Sequence, residues 1–467
     1  MAIDLEQVGI DLMDPAVGPM LSDLQGNIFK PHGRKHSAYL VVTFLRDRSK
    51  AIREWIRDFA KFYVTTAEAQ IKDARRFRKL RMDAGLFVNF FLSAKGYEVL
   101  GFSEDQIPSD HGNRFARGMK NEAINAALKD PSPDQWEAGY QREIHALLFL
   151  ADNGPNLLEL ALSKFTSELQ PLTEQLTVEY GVRWFGPDGK QDIEPFGYAD
   201  GISQPLFLKE EIDKAKERGI DRWDPSAPLN LVLVKDPHGG EDSYGSFYVF
   251  RKLEQDVAGF HRRVAGLAEA LGTDTKLAGA YVVGRFQDGT PVEVRDHDQW
   301  LPPEGKLDEF TNFNYADDMA GSRCPFQAHI RKTNPRGDTV RVFEGDFKFE
   351  RNHRIVRRGV PFGKQPPPGM NPTWPVGLLF ACYQSDIGNQ FELIQRTWSN
   401  ALHFVLQRTG LDPICGQGEQ LIGGQGWPSE YGNDSKAEAV SFDFSPYITL
   451  KGGEYFFAPS LSFLTNL

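Results

Sequence analysis

The order in which apolar runs and amphipathic stretches follow one another constrains this chain more than any other feature. His36 to Leu45 (HSAYLVVTFL) is short, apolar and rich in β-branched residues, which predicts a buried strand. From Ser49 to about Leu80 apolar residues fall three and four apart (Ile52, Trp55, Ile56, Phe59), the spacing of a helix with one buried face. Gly85 to Ser93 (GLFVNFFLS) predicts a second strand and Ala94 to Leu100 a short helix. Beyond a polar loop carrying Pro108, Pro131 and Pro133, Ile144 to Ala151 (IHALLFLA) predicts a third strand. Leu157 to Leu169 is amphipathic, and Thr177 to Trp184 ends the series as a fourth strand.

Strand–helix–strand–strand–helix–strand is the ferredoxin-like order, an antiparallel sheet with helices on one face. The second half runs similarly. Tyr244 to Leu253 (YGSFYVFRKL) predicts a strand and Gln255 to Leu271 a helix. A short strand at Gln327 to Thr333, a hairpin-like Arg351 to Pro361, a strand at Gly377 to Tyr383 and a helix at Asp386 to Asn400 follow. Gly452 to Pro459 (GGEYFFAP) supplies a last strand. The fold class is therefore α+β: two ferredoxin-like halves, each an antiparallel sheet with peripheral helices, as in the dimeric α+β barrel superfamily. The expected division is an N-terminal arm at 1–20, loosely held because it is polar and proline-containing, then domains at 21–186 and 187–467. At 467 residues the chain exceeds the size at which one core stops growing, which agrees with two domains.

Charge and cysteine usage exclude several functions. The net charge is −11 with no basic tract at either end, so nucleic acid is not an expected partner. Three cysteines (Cys324, Cys382, Cys415) with no CxxC pair argue against a disulfide framework or a zinc or iron–sulfur site of common spacing. His32 and His36 are four apart, but Gly33 replaces the glutamate of HExxH and Pro31 opposes a helix, which makes a zinc hydrolase remote. The start lacks the basic and apolar regions of a signal peptide. No stretch approaches the roughly 20 apolar residues needed to cross a bilayer. The expectation is a cytoplasmic protein, or one enclosed in a protein shell, with no membrane partner. The 34 phenylalanines favour deep apolar interiors or a pocket for a flat hydrophobic ligand.

Three segments could carry chemistry. In Phe196-Gly197-Tyr198-Ala199-Asp200-Gly201-Ile202-Ser203-Gln204-Pro205 one acid stands between two glycines, on a loop bare enough to present it to a ligand. Turn chemistry alone reads the same segment as a surface turn. His329 lies in RCPFQAHIRKTNPR, a mainly uncharged stretch running into the cations Arg331, Lys332 and Arg336, which suit carboxylates or phosphates. In NHRIVRRGVPFG, Arg357 and Arg358 would point to opposite faces of a strand, so at most one enters a given pocket.

Together these segments resemble the dye-decolorizing peroxidases, a haem family marked by GxxDG and a later HIRxTNPR-like histidine segment. Here those are Gly197 to Gly201 and His329 to Arg336. RRGxPFG ending at Gly363, the strand Leu378-Leu379-Phe380 and the terminal GGEYFFAPS also match, so the likeness runs from about Leu24 to the C-terminus. Length and start resemble the longer, unexported bacterial type. The resemblance implies haem b held by His329 as axial ligand, with hydrogen peroxide as oxidant and anthraquinone-type dyes and phenols as donors. Asp200 would be the proton-transferring base and Arg357 the fixed cation. Arg336 would pair with a haem propionate, and Gly197, Gly201, Ile202 and Ser203 would lie against the macrocycle. Leu378 and Phe380 would wall the distal side. An acid should hold the proximal imidazole; Glu392 is the first choice, with Asp386 and Asp443 behind it. Trp398 occupies the place of a surface tryptophan that passes oxidising equivalents outward, its other reading being a packed core residue. The family's tyrosine after the distal arginine is replaced by Phe362, which has no phenolic proton to lose. A haem carrier or sensor, or an iron-removing deferrochelatase, is the alternative on the same fold. A homo-oligomer or encapsulated cargo is compatible with the sequence.

Overall fold

Four strands form where β-branched and aromatic residues cluster in the first half: β1 (His36–Phe44), β2 (Phe87–Leu92), β3 (Ala146–Asp152) and β4 (Thr173–Val182). β2 and β3 are buried along their whole length and β1 along all but its first residue, which is why they read as continuous apolar runs. The computed structural model describes residues 3–299 and 310–467. Its second half carries β5 (Tyr244–Gln255), β6 (Val356–Arg357), β7 (Val360–Phe362), β8 (Gly377–Gln384) and β9 (Ile448–Ala458). The ladder orders are β4-β1-β3-β2 and β9-β5-β8-β7, so each half has its fourth strand beside its first, then its third and second. Every one of these pairings is antiparallel.

The two halves join edge to edge. β9 meets β2 through Phe457 and Leu92, and β7 meets β4 through Phe362 and Gly181. With β8 also paired to β5, eight strands close into a ring. Gly181 permits the second seam: a Cβ there would lie 2.5 Å from Ser37 Oγ and from Val360 Cγ1. Aromatics fill the interior. Tyr39 of β1 packs on Phe250 of β5 at 4.9 Å, although those strands are not neighbours, so the contact spans the ring. Phe91 stacks on Tyr248 at 4.3 Å in the same way. Each seam is a single residue pair, so along most of β4 the outer edge has no strand partner among the described residues.

Helices cover the outside. The stretch from Ser49 to Leu80, expected as one helix, is two: α2 (Ser49–Tyr63) and α3 (Ala67–Leu80). Thr66 divides them, since its hydroxyl accepts from Ala69 N–H and starts α3 afresh. α4 (Pro155–Leu169) buries Leu158, Leu162, Phe165 and Leu169. The opening residues, expected to be loosely held, are tied down: Ile10 N–H donates to Phe207 O at 2.7 Å, and α1 (Val17–Asp23) buries Val17, Met20 and Leu21. A second apolar core forms beside the ring around α5 (Val257–Leu271), Trp427 and Phe444, and the Asp200 loop is built on it. Gln327 to Thr333 is not a strand. His329–Thr333 is a short helix, α6, ended because Pro335 keeps Asn334 out of helical conformation. Arg351 to Pro361 begins as the end of a helix (Phe347–Asn352) rather than as a hairpin arm. The segment after β8 winds as wide π-type turns, Gly388–Glu392 and Ile394–Ser399.

Candidate active site

The Asp200 loop is held by its own backbone and by one acid. Phe196 stacks on Phe260 of α5 at 4.1 Å, and Tyr198 packs edge-on against the same ring. The Glu194 carboxylate accepts Phe196 N–H and Tyr198 N–H at 2.9 Å and Gln255 Nε2–H at 2.8 Å. Burial drives this carboxyl up to about 7 against those donors. Gly197 and Gly201 adopt φ of +94° and +77°, values that side chains with a Cβ rarely take. A Cβ on Gly201 would meet nothing within 4 Å, so the turn requires glycine for its φ rather than for space.

This turn delivers Asp200 to Arg357. Asp200 Oδ1 accepts Gly201 N–H at 2.6 Å and faces Arg357 Nη1 at 3.5 Å, while Oδ2 accepts nothing among the described residues. Arg357 is fixed from behind: Nη2 donates to Ile202 O at 3.1 Å, and its N–H to Gln204 Oε1 at 3.2 Å. Arg358, one residue on, turns the other way and donates to Asn27 O and Ile28 O. Only Arg357 of the two enters the cavity.

The same cavity is lined by His329. Its Nδ1 lies 2.9 Å from Asp412 Oδ2, and Nε2 has no protein partner among the described residues. Asp412 is buried and accepts Ile414 N–H and Cys415 N–H through Oδ1. The Cys415 thiol donates to Oδ2 at 3.4 Å. Burial opposes charge on the imidazole, but the Asp412 carboxylate overcomes it and holds His329 well above the ordinary histidine value. The carboxylate in turn falls below its usual range despite burial, because of His329 and the two N–H donors.

None of the three acids expected beside His329 is there. Glu392 turns toward β9, ion-paired with Arg114 at 3.3 Å and accepting Tyr455 O–H at 3.0 Å. Asp386 caps the turn after β8 through Asn389 N–H, and Asp443 is an exposed residue near Arg263. Sequence reading missed Asp412 because it lies in an irregular stretch with no periodic signal, an Asp-Pro pair that looks like a plain turn. Of the two readings of Trp398, the structure shows the packed one. At 3% exposure it is a core residue, stacked on Phe404 at 5.3 Å and edge-on to His353.

Not every cation near the cavity has a matching acid. Arg331, one of the three cations after His329, is spent on Asp318 and Asp338, and Lys332 donates to the carbonyls of Ala401 and Gly410. Arg336 does line the cavity. It donates to Thr311 O, Phe313 O and Ser203 Oγ, and both Ser203 (φ 64°) and Arg336 (φ 45°) hold left-handed backbone to meet. Arg285 and Arg354, not anticipated from the sequence, line it too and donate only to carbonyls. Among the described residues none of the three has a carboxylate partner, and burial lowers them to about 10 (Arg336), 9 (Arg285) and 9 (Arg354). Ile202, Leu378, Phe380, Ile394 and Leu450 supply apolar walls. An apolar cleft with a free imidazole nitrogen and three uncompensated guanidiniums suits a flat ligand that is a metal complex bearing anionic groups.

Residues 229–407 match the family model described as Dyp-type peroxidase, C-terminal. The multifunctional dye peroxidase DyP2 of Amycolatopsis sp. is 36% identical over 466 residues, which cover 96% of each chain. The chain belongs to the dye-decolorizing peroxidase family. Among solved structures, the DyP-type peroxidase AnaPX of Anabaena sp. is 43% identical with a TM-score of 0.92, covering 99% of this chain and 98% of that one. A dye-decolorizing peroxidase in complex with 2,6-dimethoxyphenol is 25% identical with a TM-score of 0.75, covering 95% and 98%. This dye-decolorizing peroxidase is therefore an oxidoreductase, and by family a haem enzyme. No helix among its described residues is long and apolar enough to cross a membrane.

Proposed function

We propose that this peroxidase binds haem b through His329 Nε2 and uses hydrogen peroxide to oxidise dyes of the anthraquinone type and phenols. The observation that carries the reading is that two preorganised pairs, Asp200–Arg357 and His329–Asp412, open onto one cavity. When bound, the haem supplies an iron that peroxide oxidises and donors reduce again. Asp412 orients the imidazole and increases its basicity toward the metal. Arg336, Arg285 and Arg354 offer positive charge for propionates, with Leu378 and Phe380 excluding water.

Asp200 is the proton carrier. Its Oδ1 is engaged by Gly201 N–H and Arg357, which leaves Oδ2 to take a proton from one peroxide oxygen and return it to the other as that oxygen leaves. Arg357 stays charged at any working pH and stabilises the negative charge that develops on the departing oxygen. The 2,6-dimethoxyphenol bound by a relative supports phenols as donors, and the names of the relatives support dyes.

The test is a pair of substitutions. Asp200→Asn should keep haem and lose roughly 10²–10⁴-fold in turnover, the usual range for a positioned base. His329→Ala should lose the Soret band. Unchanged peroxide turnover in Asp200→Asn would refute the assigned base, and release of intact protoporphyrin from bound haem would favour the deferrochelatase alternative.

A further inference from the structure

In a chain of net charge −11, residues 75–82 read RRFRKLRM, five cations and no acid in eight positions. They form the last turns of α3 and the residues just beyond it. The helix buries Ala67, Gln70 and Ile71 and then leaves the body of the protein: every residue from Arg76 to Asp83 is exposed. Three of them are large and apolar, Phe77 at 48%, Leu80 at 64% and Met82 at 52% exposure. Phe77 and Leu80 are three apart and share one side of the helix, with Arg75 and Lys79 on the other. Arg75 reaches Glu210 at 3.1 Å and Arg76 reaches Asp73 only at 4.0 Å. Arg78, Lys79 and Arg81 make no ion pair among the described residues, and Arg81 lies over the Phe77 ring at 5.9 Å.

The combination narrows the partner. A polyanion such as RNA would satisfy the cations but would leave Leu80 and Met82 in water. A second copy of this acidic chain could meet the charge, but the tip of one helix gives far less area than a stable dimer buries. A bilayer of anionic phospholipid satisfies both sets, phosphates for the cations and the acyl boundary for the apolar side chains. The absence of a spanning segment bears on crossing a membrane, and not on lying against one.

We propose that the projecting end of α3 seats this peroxidase on anionic phospholipid surfaces, with Phe77, Leu80 and Met82 entering the headgroup layer and Arg78, Lys79 and Arg81 meeting lipid phosphates. The test uses the full-length, haem-loaded chain in flotation with vesicles of phosphatidylcholine alone or mixed with phosphatidylglycerol. Binding is expected only with phosphatidylglycerol present and should weaken as salt rises. Arg78→Glu/Lys79→Glu/Arg81→Glu should cut it by about a hundredfold, from a few-fold per cation. Phe77→Ser/Leu80→Ser should lower it while keeping the salt dependence. Both variants should retain wild-type oxidation of a soluble dye, since none of these residues lines the cavity, and that control shows the variants are folded. Equal binding to neutral vesicles, wild-type binding by the charge-reversed variant, or no binding at all overturns the proposal. So does a variant whose only change is a shift from oligomer to monomer in sedimentation, or loss of binding to RNA with no effect on vesicles.

Discussion

Asp412 shows how much one side chain can set. It is buried, takes two backbone N–H donors on one oxygen and presents the other to His329 Nδ1. Asp412→Asn would keep a hydrogen bond to the imidazole and remove the charge. Haem affinity should fall by about 10–100-fold, the usual cost of altering a ligand's supporting partner, and the iron reduction potential should rise. Haem titration and a spectroelectrochemical midpoint check both, and an unchanged midpoint would remove Asp412 from the assigned role. Glu194 governs the other pair through the loop it holds. Its carboxyl is raised from about 4.5 to about 7 by burial, so the folded state prefers it protonated. The stability it contributes is full below pH 4.5 and is lost as pH rises through 7. Glu194→Gln cannot titrate, so the stability gap between wild type and variant should narrow across that window, by about 3 kcal/mol. Thermal unfolding at pH 4.5 to 8 measures it, and two parallel curves would show that Glu194 does not titrate there.

Among elements, the seam between β4 and β7 depends on Gly181. Gly181→Ala would push a Cβ to 2.5 Å from Ser37 Oγ and Val360 Cγ1, and both strands would have to give. A loss of about 1–3 kcal/mol is expected from overpacking at such a contact, read by denaturant unfolding. If the variant is as stable as wild type, the seam is looser than its geometry implies. Strands of this kind were legible because burial on both faces writes a continuous apolar run, and β1, β2, β3, β5, β8 and β9 stand where such runs lie. Short elements were not. α6 has five residues, too few for a helical period, and its limits come from Asn334-Pro335 rather than from any pattern. At the site, Asp200, Arg357, His329 and Arg336 were legible because special backbone or like charge marks them: paired glycines, an arginine doublet, a cation-rich tail. Asp412, Arg285 and Arg354 reach the cavity from irregular or apolar neighbourhoods that carry no local signal, and tertiary packing alone brings them in.

At the scale of the whole molecule the ring makes two similar halves depend on each other. Each half alone is a four-stranded sheet whose outer strands are β2 and β4 in one case and β7 and β9 in the other. In the chain those four edges are joined in pairs, and rings from both halves interleave inside, as Tyr39 does with Phe250 and Phe91 with Tyr248. The cavity also draws on both contributions of the second half, with Arg357 beside β8 and His329 on α6 beneath the π-type turns that follow it. An isolated segment 21–186 would lose both seam pairs and expose half an aromatic core, conditions that favour aggregation. We expect that segment to be insoluble or to associate with itself when expressed alone, whereas the intact chain should unfold in one cooperative transition, with Trp fluorescence and far-ultraviolet circular dichroism losing signal together. A soluble, monomeric and cooperatively folding 21–186 would show instead that the halves are independent domains that happen to share a sheet. In that case the seams at Gly181 and Leu92 would carry little stability, and the cost of Gly181→Ala should shrink to its clash with Ser37 inside the first half.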